Sequence, residues 1–156
     1  MKFIFTSIKE VKTVKKPWGY EKWLTGGSPD FKYALKEIFF RAPHRTSIQF
    51  HKIKEETEYF IKGKGIFHYH PEPIDLDKFE KGLYSDDDIK KIINNLEKKD
   101  LVPGTVIHVK RGCIHRVEAT EDMIMLEAST TELDDVIRLA DDIGRSHGRI
   151  ESEHLD

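Results

Sequence analysis

Apolar and polar residues alternate in short runs through most of the chain. The clearest runs are 33–40, 46–51, 57–61, 65–70, 105–109, 114–119 and 123–128. A period of two is that of a strand with one face buried. The runs are separated by turn-forming pieces: Gly26-Gly27-Ser28-Pro29, Gly63-Lys64-Gly65, Pro103-Gly104 and Arg111-Gly112. Many short strands at regular spacing predict an all-β sandwich or barrel.

One segment has a helical period instead. Between 85 and 99, Ile89, Ile92, Ile93 and Leu96 fall at i, i+3, i+4 and i+7. Ser85 suits the N-cap, Asp86, Asp87 and Asp88 the positive end, and Lys98 and Lys99 the negative end. This predicts one amphipathic helix inserted between two strands. Such a helix either packs on the barrel wall or lies over its mouth as a lid. A second helix is expected over 132–139, where Leu133, Val136, Ile137 and Leu139 make a stripe. Residues 146–156 are polar and read as a frayed tail.

The 156 residues suit one domain, 1–156. With 38% hydrophobic and 35% charged residues, the composition is that of a soluble globular protein. Twenty-six basic and 28 acidic residues give a net charge of −2, which sets up no field for nucleic acid or an anionic membrane. The opening Met1-Lys2-Phe3-Ile4-Phe5 is too short for a signal peptide, and no segment is long enough to span a membrane. Cys113 stands alone, so no internal disulfide forms. These features point to the cytoplasm.

Alternation also gathers chemistry. Gln49 and His51 share one face of their strand, Glu56 and Glu58 share a face of the next, and His115 shares a face with Cys113 and Val117. If these faces line one interior, an amide, a carboxylate and two imidazoles converge as ligands for one divalent metal ion. Zinc is the first choice, with manganese, iron, cobalt or nickel compatible with mixed nitrogen and oxygen donors. A metal-free barrel would instead have to satisfy these groups by hydrogen bonds. His68 and His70 share a face of their strand; strand register decides whether it is the substrate-binding interior or plain surface. Glu58 is a candidate general base, since carboxylates in apolar barrels are pushed up. Cys113 has no activating base beside it and reads as a packing residue.

The spacing Gln49-x-His51-x4-Glu56-x6-Gly63 resembles the first motif of the cupins, and Gly104 with Lys110-x-Gly112-x2-His115 resembles the second. The resemblance implies a double-stranded β-helix, the jelly-roll barrel. Pro43, Lys110 and Ala119 depart from the motifs, and Gln49 stands where most cupins have a histidine. Within the cupins, Ser47-x-Gln49-x-His51-x4-Glu56 is similar to type II mannose-6-phosphate isomerases. So are Lys16-Pro17-Trp18-Gly19-Tyr20-Glu21, Gly112-Cys113-Ile114-His115-Arg116, and Asp134-Asp135-Val136-Ile137-Arg138 followed by Asp141-Asp142-Ile143-Gly144-Arg145. Lys52, Ile53, Glu58 and Tyr59 differ from that family near the substrate.

This resemblance implies a metal-dependent aldose–ketose isomerase acting on a sugar or sugar phosphate, and a homodimer. It places Arg145 where a phosphate or an enediolate is held, and Lys54 where the family often has a phosphate-contacting arginine. Two competing classes are a non-catalytic metal-containing binding module and an iron-dependent cupin dioxygenase, which the neutral Gln49 ligand disfavours.

Overall fold

The structure, a computed structural model, describes residues 3–140 and the backbone of 148–149. The strands are β1 (Lys12–Lys16), β2 (Gly19–Trp23), β3 (Ala34–Phe40), β4 (Ile48–Phe50), β5 (Glu56–Lys62) and β6 (Gly65–Tyr69). Two helices follow, α1 (Leu76–Glu80) and α2 (Asp86–Asn94). The chain then returns to strands: β7 (Glu97–Leu101), β8 (Val106–Val109), β9 (His115–Ala119), β10 (Met123–Ser129), β11 (Ile137–Ala140) and β12 (Gly148–Arg149). They form two antiparallel six-stranded sheets, ordered β1-β2-β3-β10-β5-β8 and β12-β11-β4-β9-β6-β7. This is an all-β barrel, as the alternation predicts, and it is of the jelly-roll kind that the resemblance implies. Among the described residues, no helix is long and apolar enough to cross a membrane.

Strict alternation makes the inner faces. Buried and half-buried residues alternate along all of β3, and β10 pairs with β3 and β5 so that their inward side chains meet. Trp18, Ile38, Phe40, Phe60, Phe67, Val117, Met123 and Met125 fill part of the interior. The β5–β6 hairpin turns at Gly63, whose φ of +85° suits glycine; a Cβ there would lie 2.0 Å from the Asp122 carbonyl oxygen.

A second core lies outside the barrel. Ile48, Phe50, Ile114, Ile137 and Leu139, on the far face of the second sheet, pack against Phe79, Tyr84, Ile89, Ile92, Ile93 and Leu96. Phe50 is fully buried and meets Phe79 edge-on at 5.0 Å between ring centroids. The inserted helix therefore packs on the wall and is no lid. Ser85 caps it in a reciprocal capping box with Asp88.

Two expectations are corrected. The inserted helix ends at Asn94, and Lys98 and Lys99 belong to β7, where only Leu101 is buried. The segment 132–139 is not helical: it turns, then enters β11, with Ile137 and Leu139 facing the outer core and Arg138 lining the interior. Four apolar residues within eight fit either period, and pairing with β4 decides for the strand. Arg145 and the tail 146–156 lie outside the described side chains.

Candidate metal centre

β4 sends Ile48 and Phe50 to the outer core, so Ser47, Gln49 and His51 face inward. β9 lies directly beside it, with Gln49 opposite His115. Glu56 opens β5 on the same interior. The ligand atoms of His51, Glu56 and His115 all lie within 4.8 Å of one another, and all three residues are buried. Glu56 Oε1 is 3.2 Å from His51 Nε2 and 3.7 Å from His115 Nε2. Donors about 2.1 Å from one metal ion stand about 3.4 Å apart in a tetrahedral arrangement, so this spacing fits.

The main chain prepares both imidazoles. His51 Nδ1 is 2.7 Å from the Asp135 carbonyl oxygen, and His115 Nδ1 is 2.9 Å from that of Cys113. A carbonyl only accepts, so each Nδ1 carries the hydrogen, which leaves Nε2 for a ligand. Burial first, then the nearby His51, pushes His115 down to about 4, so it is neutral at neutral pH. Its Nε2 lone pair then points at a carboxylate. A proton on His51 relieves only one of the two contacts; a divalent cation satisfies all three donors at once. The residues therefore fit a metal ion. Gln49 lines the same cavity, with Oε1 accepting from Ser47 Oγ at 3.0 Å and one lone pair left over.

Charged side chains extend the site through the interior. Lys54 Nζ lies 3.0 Å from Glu56 Oε2 and 3.3 Å from Glu127 Oε2. Lys36 Nζ lies 4.0 Å from Glu127 Oε2 and 2.9 Å from Glu21 Oε1, which also accepts from Trp23 Nε1 at 2.9 Å. Burial alone would raise Glu56, but Lys54 and then His51 hold it well below the usual carboxylate range. Glu58 has no such cation at contact distance: burial, then Glu56 and Glu127, push it well up. Glu127 is pushed up to about 8 by burial and Glu56, against Lys54. Glu21 follows the opposite course, since Lys36 overrides its burial and brings it down to about 2. The cavity among these groups has a volume of about 70 Å³, room for roughly five water molecules.

The structure thus brings together Gln49, His51, Glu56, His115, Glu58 and Lys54. It does not bring in His68 or His70. β6 turns Phe67 inward, so His68 faces the other way, 2.7 Å from Glu118 Oε1, and His70 Nδ1 sits against the backbone of Glu72. Strand register places both outside the cavity lined by Gln49, His51, Glu56 and His115. Lys54, expected as a phosphate contact, lines the cavity with the residue 3% exposed and its ammonium beside two carboxylates. Lys36, Glu127 and Arg138 line the cavity without having been picked out from the sequence. The signal was there: Lys36 shares the apolar face of Ala34, Ile38 and Phe40, and Glu127 that of Met123 and Met125. A charge on the apolar face of a strand must find a buried partner.

Neither a protein-family model nor a curated protein sequence matches the chain. Solved structures do match in shape. Ectoine synthase from P. lautus superposes with a TM-score of 0.59 at 15% identity, covering 83% of this chain and 78% of that one. CapF, the capsular polysaccharide assembling protein of Staphylococcus aureus, gives 0.57 at 14%, with 90% and 33% covered. Oxalate decarboxylase from Lactobacillus farciminis gives 0.60 at 12%, with 84% and 34% covered. The chain spans about a third of the length of the last two. With two antiparallel sheets in this strand order and these structural neighbours, the chain has the cupin fold.

Proposed function

We propose that this protein is a metal-dependent enzyme that interconverts an aldose and a ketose, acting on a sugar or sugar phosphate as mannose-6-phosphate isomerases do. One observation carries the reading. The open donor set shares Glu56 with a second group, Glu56, Glu58 and Glu127, whose carboxylate oxygens also lie within 4.8 Å of one another. Electrophile and proton carriers thus meet in one buried cavity, which is what moving a proton between adjacent carbons requires.

A divalent ion on His51, Glu56 and His115, with Gln49 beside it, would polarise the substrate's carbonyl and hydroxyl oxygens. The protein does the rest. Glu58, 3% exposed, is pushed well up by burial and its carboxylate neighbours, so once it has given up its own proton it is a strong acceptor for the substrate's. Glu127 faces Glu58 across β10 and β5 and offers a second station. The apolar interior around Phe60 and Met125 excludes bulk water and shields the proton in transit between the two carbons from exchange. The small cavity admits the reacting end of the molecule. Arg145, by its match to the family, is proposed to hold the phosphate end, and the protein is proposed to work as a homodimer.

The reading also draws on the named neighbours, among which a synthase and a decarboxylase are enzymes. The test is metal analysis of purified protein followed by turnover of mannose 6-phosphate and other aldose phosphates. Stoichiometric metal, turnover that depends on it, and a loss of about 100-fold or more in Glu58→Gln would support isomerisation. Metal and sugar binding without turnover would leave a binding module. Protein that takes up no zinc, manganese, iron or cobalt would sink the metal reading.

A further inference from the structure

Lys54 is a charged side chain in an unusual place. It precedes β5 by two residues, points into the barrel and is 3% exposed. Burying an ammonium costs several kcal/mol unless it is paired, and here it is paired twice, with Glu56 Oε2 and Glu127 Oε2. The two oxygens of Glu56 thus have separate surroundings. Oε1 faces the two imidazoles; Oε2 faces the ammonium.

The main chain at Lys54 is fixed by the same residue that fixes His51. Asp135 Oδ2 accepts from the Lys54 N–H at 2.8 Å and from the Ile53 N–H at 2.6 Å, while the Asp135 carbonyl accepts from His51 Nδ1 at 2.7 Å. A shift of Lys54 relative to His51 would break this clamp. The ammonium is therefore held at a set place with respect to one imidazole, and Glu56 lies between them.

We infer that Lys54 is a positioning residue of the metal centre: by capturing Glu56 Oε2, it makes Glu56 present Oε1 alone to the ion. This rests on the metal reading above. The physical consequence is twofold. A carboxylate with both oxygens available can bind through either or both, and its rotation leaves the ligand set loose. A carboxylate whose far oxygen neutralises an ammonium also gives less charge to the ion, which leaves the ion a stronger polariser.

The test is cobalt(II) substitution of protein stripped of metal by chelation, read by visible absorption and by titration. Wild-type protein should show one defined cobalt spectrum. Lys54→Met should change its band position and intensity, because Oε2 is released to the ion. Lys54→Arg, which keeps the cation, should restore the wild-type spectrum. Ser85→Ala, at the cap of the outer helix and away from the cavity, should leave the spectrum unaltered. If Lys54→Met does not fold, Lys54→Gln takes its place with the same expected direction. A folded variant with lowered melting temperature but an unaltered spectrum would overturn the inference, since a merely structural lysine behaves so. Wild-type protein that takes up no cobalt would instead sink the metal reading, and this inference with it.

Discussion

The same inward faces of β3, β5 and β10 carry opposite chemistry at their two ends. At one end stand Ile38, Phe40, Phe60, Met123 and Met125; at the other stand Lys36, Glu56, Glu58 and Glu127. Strand geometry is continuous across the two halves, so the backbone does not impose the division. The apolar half gains stability by burial. In the charged half, ionic groups are taken from water and repaid only by one another, an arrangement that often adds little net stability. One half holds the fold, and the other carries a demand that stability alone does not explain.

Four experiments break or sharpen that contrast. The largest effect is expected in the apolar half, where Phe60→Ala should cost about 4 kcal/mol in urea unfolding. Next is metal. Zinc at a hundred times its dissociation constant should add about 3 kcal/mol to wild-type stability. Thermal unfolding of His51→Ala and His115→Ala should show none of that gain, although both fold. Third is Glu21→Gln, which strands Lys36 and should cost about 2 kcal/mol at neutral pH. Glu21 is held at about 2 in the folded protein against an ordinary 4.5. Its contribution is therefore complete above pH 4.5 and lost as pH falls from there through 2. The gap between wild type and Glu21→Gln should close over that window in acid-titrated denaturation. The smallest is Ser85→Ala, which removes the α2 cap on the outer core and should cost about 1 kcal/mol without altering metal content.

Sequence legibility followed the same division. The strands of the apolar half announce themselves, because their alternation is clean and their turns carry glycine. The donors His51, Glu56 and His115 were legible from spacing, and the structure brings all three together. The edges were harder. β7 reads Glu-Lys-Lys-Asp-Leu, with one buried residue in five, and its lysines look like the end of the preceding helix. Charges are how an edge strand avoids pairing with another chain, so its polarity is a property of position in the sheet, which a one-dimensional pattern does not contain. β1 and β2 were missed for a related reason, since lysines and glutamate interrupt them. His68 and His70 show the limit of parity: alternation groups residues by face, and only pairing with β9 says which face looks inward.

The carbonyls that orient the two histidines have a further consequence, for variation. Both acceptors are main-chain atoms, of Asp135 and Cys113. No side-chain replacement deletes a carbonyl. The tautomer of each ligand is thereby insulated from point mutation at the position that sets it, as long as the local backbone keeps its path. For Cys113 the side chain is free to drift among small residues while its oxygen keeps doing the same task. Asp135 is constrained for another reason, since its carboxylate gathers the N–H groups of Lys52, Ile53 and Lys54. A mutational scan for metal content should then be uneven around the centre, tolerant at 113 and intolerant at 135, although both residues perform the same service for their histidine.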